Sequence, residues 1–145
     1  MKKELFQKIL VPVDGSTPSL KALKMAAYVA QAHNSELIIL HVLDVATLSE
    51  LVKFWDKSHE DIKEKMKEKG WGLLHSMEKE ALDVPITTLL KVGNPHEIIL
   101  NVALEYNVDL IIMGRLGKKG ARRILIGSVT ERVIEFSKVP VLVIT

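Results

Sequence analysis

A chain of 145 residues, 48% hydrophobic and 26% charged, is long enough to bury a core of its own and has the make-up of an ordinary globular domain. It contains no cysteine, which excludes disulfides, thiolate nucleophiles and cysteine-ligated metals. A formal charge of +2 is too small to imply nucleic acid or membrane partners by itself. No apolar run nears the roughly 20 residues of a bilayer span. Met1-Lys2-Lys3-Glu4 lacks the apolar stretch of a signal peptide, so the expected compartment is the cytoplasm.

In chain order, the first β-branched run is Lys8 to Val13. It is continuous rather than alternating, as in a parallel strand covered on both faces. A helix follows, with Thr17 as its expected N-cap and Pro18 in the first turn, where a missing N–H costs nothing. Leu20, Leu23, Ala27 and Ala30 form its apolar stripe, and Asn34 suits a left-handed stop. Glu36 to Val42 is the second strand.

The stretch from Thr47 to Leu82 keeps helical period through Leu48, Leu51, Val52, Trp55, Ile62 and Met66, and again through Leu73, Leu74 and Met77. Gly70 and Gly72 interrupt it at ~1 kcal/mol each relative to alanine, so a break or kink is expected near Gly70. Six lysines and five acids between Lys53 and Lys69 nearly balance, as on a solvated helix face.

Ile86 to Val92 is the third strand. Asn94, Pro95 and Glu97 then supply a cap, a first-turn proline and a box-like acid for a helix carrying Ile98, Ile99, Val102 and Ala103. Leu110 to Met113 is the fourth strand. The last helix runs from about Ser128 to Phe136, with Ser128 and Glu131 spaced as a capping box, and Val139 to Ile144 is the last strand. Strands alternating with helices predict an α/β domain over residues 1–145, with a parallel sheet, right-handed crossovers and helices on both faces. Ligands in such folds sit beyond the carboxyl ends of the strands, where the winding reverses. With strand 1 central among five, that point lies between strands 1 and 4, which end at Asp14 and Gly114.

Between the fourth strand and the last helix runs Gly114-Arg-Leu-Gly117-Lys-Lys-Gly120-Ala-Arg-Arg-Ile-Leu-Ile-Gly127-Ser128. Glycines let backbone N–H groups approach an anion closely. The N-terminus of the following helix adds free N–H groups and the positive end of its dipole. Arg115, Lys118, Lys119, Arg122 and Arg123 crowd the same loop, and no acid occurs from Leu110 to Thr130. These features together call for an anion, although each alone fits a plain turn, a helix cap or a solvated loop. The spacing is neither a Walker P-loop nor a dinucleotide fingerprint.

The spacing Gly114-x2-Gly117-x9-Gly127-Ser128 resembles the nucleotide-binding signature of the universal stress protein family. Ile9-Leu-Val-Pro12-Val-Asp14-Gly-Ser16 is similar to that family's first strand and acidic turn, and Val92-Gly93-Asn94-Pro95 to its third strand and turn. Asp109 to Gly114 and the ending Gly127 to Ile144 match as well, and the stretch Thr47 to Leu82 matches least. The resemblance implies a Rossmann-like, adenine nucleotide alpha hydrolase-like domain with strand order 3-2-1-4-5.

It also implies a site for ATP, ADP or AMP. Pro12, Val13 and Asp14 would lie beside base and ribose, with Val42 against the adenine. Met113, Gly114, Leu116 and Gly117 would wrap ribose and phosphates, while Gly127, Ser128, Val129 and Thr130 would bind phosphate through backbone and hydroxyl groups. Arg115 departs from the small hydroxyl residue common at its position, which leaves its contact with phosphate or solvent open.

Hydrolysis needs a positioned base or water-orienting group, usually with a metal at the phosphates. Asp14 is the only carboxylate expected at the site, His41 reads as a packed strand residue, and His59, His75 and His96 have no metal spacing. The leading expectation is therefore a nucleotide-responsive regulatory or stress-response module, with no catalytic residue assigned. The alternatives are slow Mg²⁺-assisted ATP hydrolysis near Asp14 and Ser128, or a nucleotide-independent dimeric interaction protein. Binding to nucleic acid ranks last, since the basic loop has no interleaved aromatics. The resemblance further implies a homodimer through the apolar edge strand Val139 to Ile144, an edge that should not stay bare.

Overall fold

The computed structural model describes residues 5–55, 57–81, 83–117 and 126–145. Five parallel strands, β1 (Lys8–Pro12), β2 (Glu36–Asp44), β3 (Ile86–Gly93), β4 (Leu110–Gly114) and β5 (Val141–Ile144), form one sheet in the order β3-β2-β1-β4-β5. The helices are α1 (Thr17–His33), α2 (Val45–Phe54), α3 (His59–Glu78), α4 (Pro95–Glu105) and α5 (Ser128–Phe136). The expected topology is the observed one.

Alternation along the central strands divides the core. Ile9, Val11, Val13, Leu37 and Ile39 pack with Ala22, Leu23 and Ala26 of α1 and with Leu74 and Met77 of α3. Leu10, Ile38, Leu40, Ile111 and Met113 face the other way, onto Ile99 and Val102 of α4 and Val133 of α5. A strand buried on both faces has no polar face to present, which is why these runs read as continuously apolar.

The helix ends depart from the expected caps by one residue. Ser16, not Thr17, is the N-cap of α1; its side chain accepts from Ser19 N, which makes Thr17 and Pro18 the first two helical residues. Asn34 does stop that helix, at φ 54° and ψ 41°. Asn94 caps α4 by position without a side-chain bond. Gly127, not Ser128, is the N-cap of α5.

The expected kink at Gly70 is absent: α3 runs unbroken through it, and the helical pattern divides earlier, where α2 ends with Trp55 as its C-cap and Ser58 caps α3 by accepting from Asp61 N. Gly70 answers to packing. A Cβ there would meet Leu90 Cδ1 at 2.8 Å, with His41 Cδ2 and Leu43 Cδ2 at 3.3 Å. The residue lets α3 lie directly on β2 and β3, and tertiary contact outweighs its ~1 kcal/mol propensity penalty. Among the described residues no helix is long and apolar enough to cross a membrane.

Candidate functional site

β1 and β4 are neighbours whose chain connections leave in opposite directions, so the carboxyl end of the sheet opens between them. Three segments converge there: the residues after β1, the residues after β4 and the start of α5.

The turn after β1 is held by its own side chains. Asp14 accepts from Ser16 N at 2.9 Å through Oδ1, and Asp14 N donates to Ser19 Oγ at 3.3 Å. Asp14 Oδ2 lies 2.9 Å from the point a Cβ on Gly117 would occupy. A side chain at 117 would displace the carboxylate, so this glycine is set by Asp14 as much as by any ligand.

The two halves of the glycine signature, ten residues apart in sequence, close on each other. Gly127 N donates to the Arg115 carbonyl at 2.8 Å. A Cβ on Gly127 would touch Arg115 O, Gly117 N and Leu116 Cα, each at 3.5 Å. Arg115 N in turn donates to Ile144 O at 2.8 Å, which fastens the loop to the end of β5. Lys118, Lys119, Gly120, Arg122 and Arg123 lie outside the described residues.

Gly114 is buried at the end of β4, and a Cβ there would stand 2.8 Å from Pro18 Cβ and 2.9 Å from the Pro18 carbonyl carbon. It is glycine because α1 passes over it. Thr130 is 2% exposed and donates its hydroxyl to Gly114 O at 2.8 Å. The hydroxyl expected to face phosphate instead ties α5 to β4. Ser128 is exposed in the first turn of α5, and Val129 packs partly into the core. The α5 ladder starts with Glu131 N to Gly127 O at 2.9 Å. The N–H groups of Ser128, Val129 and Thr130 precede it, and with the dipole they form the anion-attracting end of the helix.

Strand β2 completes the crevice. Glu36 N bonds Gln7 O and Leu37 N bonds Pro85 O, so the even-numbered β2 residues turn their backbone toward β1 and the odd ones toward β3. The β1 ladder ends at Pro12 opposite Leu40, with one further bond from Val13 N to Leu40 O at 2.8 Å. Beyond it the N–H and C=O of Val42 point toward the space β1 has left. Among the described residues no hydrogen bond joins Val42 N to Val13 O; that carbonyl accepts from His41 Nδ1 at 2.7 Å.

Pro12, Val13, Asp14, Val42, Gly114 to Gly117 and Gly127 to Thr130 are thus brought to one end of the sheet. Met113 is 5% exposed and belongs to the core beneath that end. His41 and Pro18 are the contributors that sequence reasoning passed over in describing the site. The histidine, the one polar side chain between Glu36 and Asp44 on that apolar strand, was the available signal. Among the described residues no group of three or more His, Asp or Glu side chains is placed to hold a metal ion.

A doubly wound domain with backbone donors gathered at its switch point defines a class of ligand-binding α/β proteins. The family model of the universal stress proteins matches residues 5–145, and the chain belongs to the universal stress protein family. It is 40% identical over 144 residues to universal stress protein MJ0531 of Methanocaldococcus jannaschii, covering 98% of this chain and 84% of that one. The solved structure of protein MJ0577 from the same organism superimposes with a TM-score of 0.86 at 36% identity, covering 97% of this chain and 96% of that chain. A universal stress protein solved in complex with cAMP matches with a TM-score of 0.70 at 25% identity, covering 96% of both chains.

Proposed function

We propose that this protein binds an adenine nucleotide at the β1–β4 switch point and acts in the cytoplasm as a regulatory module of the stress response. The observation that carries this reading is the closure of the two signature halves beside Asp14. The α5 N-terminus and the glycine backbone offer donors to phosphate. Asp14 offers an acceptor to ribose hydroxyls. Val42 offers one N–H and one C=O, the complement of the adenine N1 acceptor and N6 donor. Arg115, Leu116 and Gly117 flank the phosphates, with Ser128 adding its hydroxyl and Thr130 its backbone N–H. The complex of a family relative with cAMP supports the ligand class.

Mg²⁺ would enter with the phosphates: one carboxylate, Asp14, suits that ion when phosphate oxygens and water complete its shell. Calorimetric titration with ATP, ADP and AMP tests the proposal. Saturable binding below millimolar concentration is the expected result, and no heat at millimolar nucleotide overturns it.

A homodimer through β5 belongs to the same reading. β5 is an edge strand, and Leu142 is 40% exposed on it. Phe136 and Leu104 lie exposed nearby, along a groove with Leu100 and Val139. Ile111 N bonds Pro140 O and Arg115 N bonds Ile144 O, so Val141 and Val143 turn their N–H groups outward. Val143→Pro removes one outward donor and spares the β4 ladder. It should shift the mass seen by light scattering from two chains to one, and an unchanged mass would argue against strand pairing.

A further inference from the structure

We infer that His41 is a positioning residue that keeps the base-reading edge of β2 open, by taking the carbonyl that would otherwise pair with Val42. This rests on the adenine-nucleotide reading of the same site. In a parallel ladder the acceptor for the Val42 N–H is the carbonyl of Val13, the residue facing His41 one step beyond the Pro12–Leu40 pair. The preceding rung is made, from Val13 N to Leu40 O at 2.8 Å. The next rung is not made among the described residues; Val13 O accepts from His41 Nδ1 at 2.7 Å instead.

A carbonyl only accepts, so Nδ1 carries the proton in this arrangement, whichever charge the ring bears. The ring is also backed from behind. Its Cδ2 lies 3.3 Å from where a Cβ on Gly70 would be, so α3 rests on the imidazole and a larger residue at 70 would push it. Gly70 and His41 together form a wedge at the point where β1 parts from β2. The consequences are that Val13 and Asp14 are held at a fixed place and that the Val42 N–H stays available to the purine N1.

Two measurements on the unaltered protein come first. Nitrogen-15 NMR should show His41 as the Nδ1–H tautomer, and the Val42 amide should exchange with solvent at least about tenfold faster than that of Leu40. An Nε2–H tautomer, or a Val42 amide as protected as Leu40, overturns the inference without bearing on whether nucleotide binds.

Selectivity supplies the second readout. Inosine nucleotides present N1–H and a 6-oxo group, the reverse of adenine, so two backbone bonds are lost and ATP should be preferred over ITP by about tenfold or more. His41→Ala should close the rung, protect the Val42 amide and bring the two affinities to within about threefold. His41→Asn, whose Nδ2 sits where the imidazole Nδ1 does, should restore both the exchange and the preference. A His41→Ala protein that keeps the wild-type ATP-to-ITP ratio sinks the role proposed for His41. Wild-type protein that binds neither nucleotide sinks the ligand reading instead and leaves the NMR result to decide the wedge.

Discussion

The two ends of the sheet are built to opposite rules. At the amino end, backbone groups near the first strand are tied down. Asp109 Oδ2 accepts from both Gln7 N at 2.9 Å and Lys8 N at 3.0 Å. Ser35 Oγ, almost wholly buried, donates to Phe6 O, Glu36 N bonds Gln7 O, and Lys8 Nζ reaches Tyr106 O. At the carboxyl end the ladder stops early, a side chain replaces a rung, and a helix starts on a glycine with no side-chain cap. Each end has an aspartate beside the first strand. Asp109 accepts from two backbone N–H groups at the start of β1, whereas Asp14 braces the turn after β1 through Oδ1 and turns Oδ2 toward Gly117. One end ties its backbone groups down, and the other is the end where the proposed ligand would find donors and acceptors.

Substitutions can break this contrast or sharpen it. The largest effect is expected where the ligand end is also structural: Gly114→Ala would drive a methyl into Pro18, including its backbone. Stability measured by urea unfolding should fall by about 3 kcal/mol, and nucleotide binding should fail with it. Next, Asp109→Ala orphans two backbone N–H groups at the amino end and should cost about 2 kcal/mol. The folded fraction should keep wild-type ATP affinity in calorimetry; a weakened site would show that the two ends are coupled.

Asp14→Ala is the mirror experiment. It should lower ATP affinity about tenfold, or ~1.4 kcal/mol, while the urea midpoint moves far less than for Asp109→Ala. A large stability loss with unchanged affinity would make Asp14 a mere turn residue. The smallest effect lies between the ends, on α3. Gly72 has nothing within 4 Å of its missing Cβ, so Gly72→Ala should raise stability by about 1 kcal/mol in urea unfolding without touching the site.

The contrast between Gly70 and Gly72 also marks the limit of reading a helix from its sequence. Both glycines carry the same local penalty, and local propensity places the break at whichever is weaker. The break falls fifteen residues earlier, at Trp55, because Ser58 caps a new helix and Gly70 is held by Leu90, His41 and Leu43. Those partners belong to β2 and β3, out of reach of any local pattern. Caps behaved similarly: the sequence pattern announced the helix starts with caps at Thr17 and Ser128, but the preceding residue in each case, Ser16 and Gly127, took the position.

The site was legible in outline for the same physical reason the sheet was. Continuous apolar runs demand burial on both faces, alternating helices demand parallel pairing, and strand order then fixes where the crevice opens. Glycine spacing located the loop because a residue without Cβ stands out in sequence. What each glycine is for was decided only by the fold: Gly114 clears Pro18, Gly117 clears Asp14, and Gly127 docks on Arg115 and Leu116. Likewise the sequence supplied a histidine on β2, and only the parting of β1 from β2 turned it into the partner of a strand carbonyl. Composition and periodicity determine which faces must be buried; close approach between distant segments determines which backbone groups are left outside the ladders.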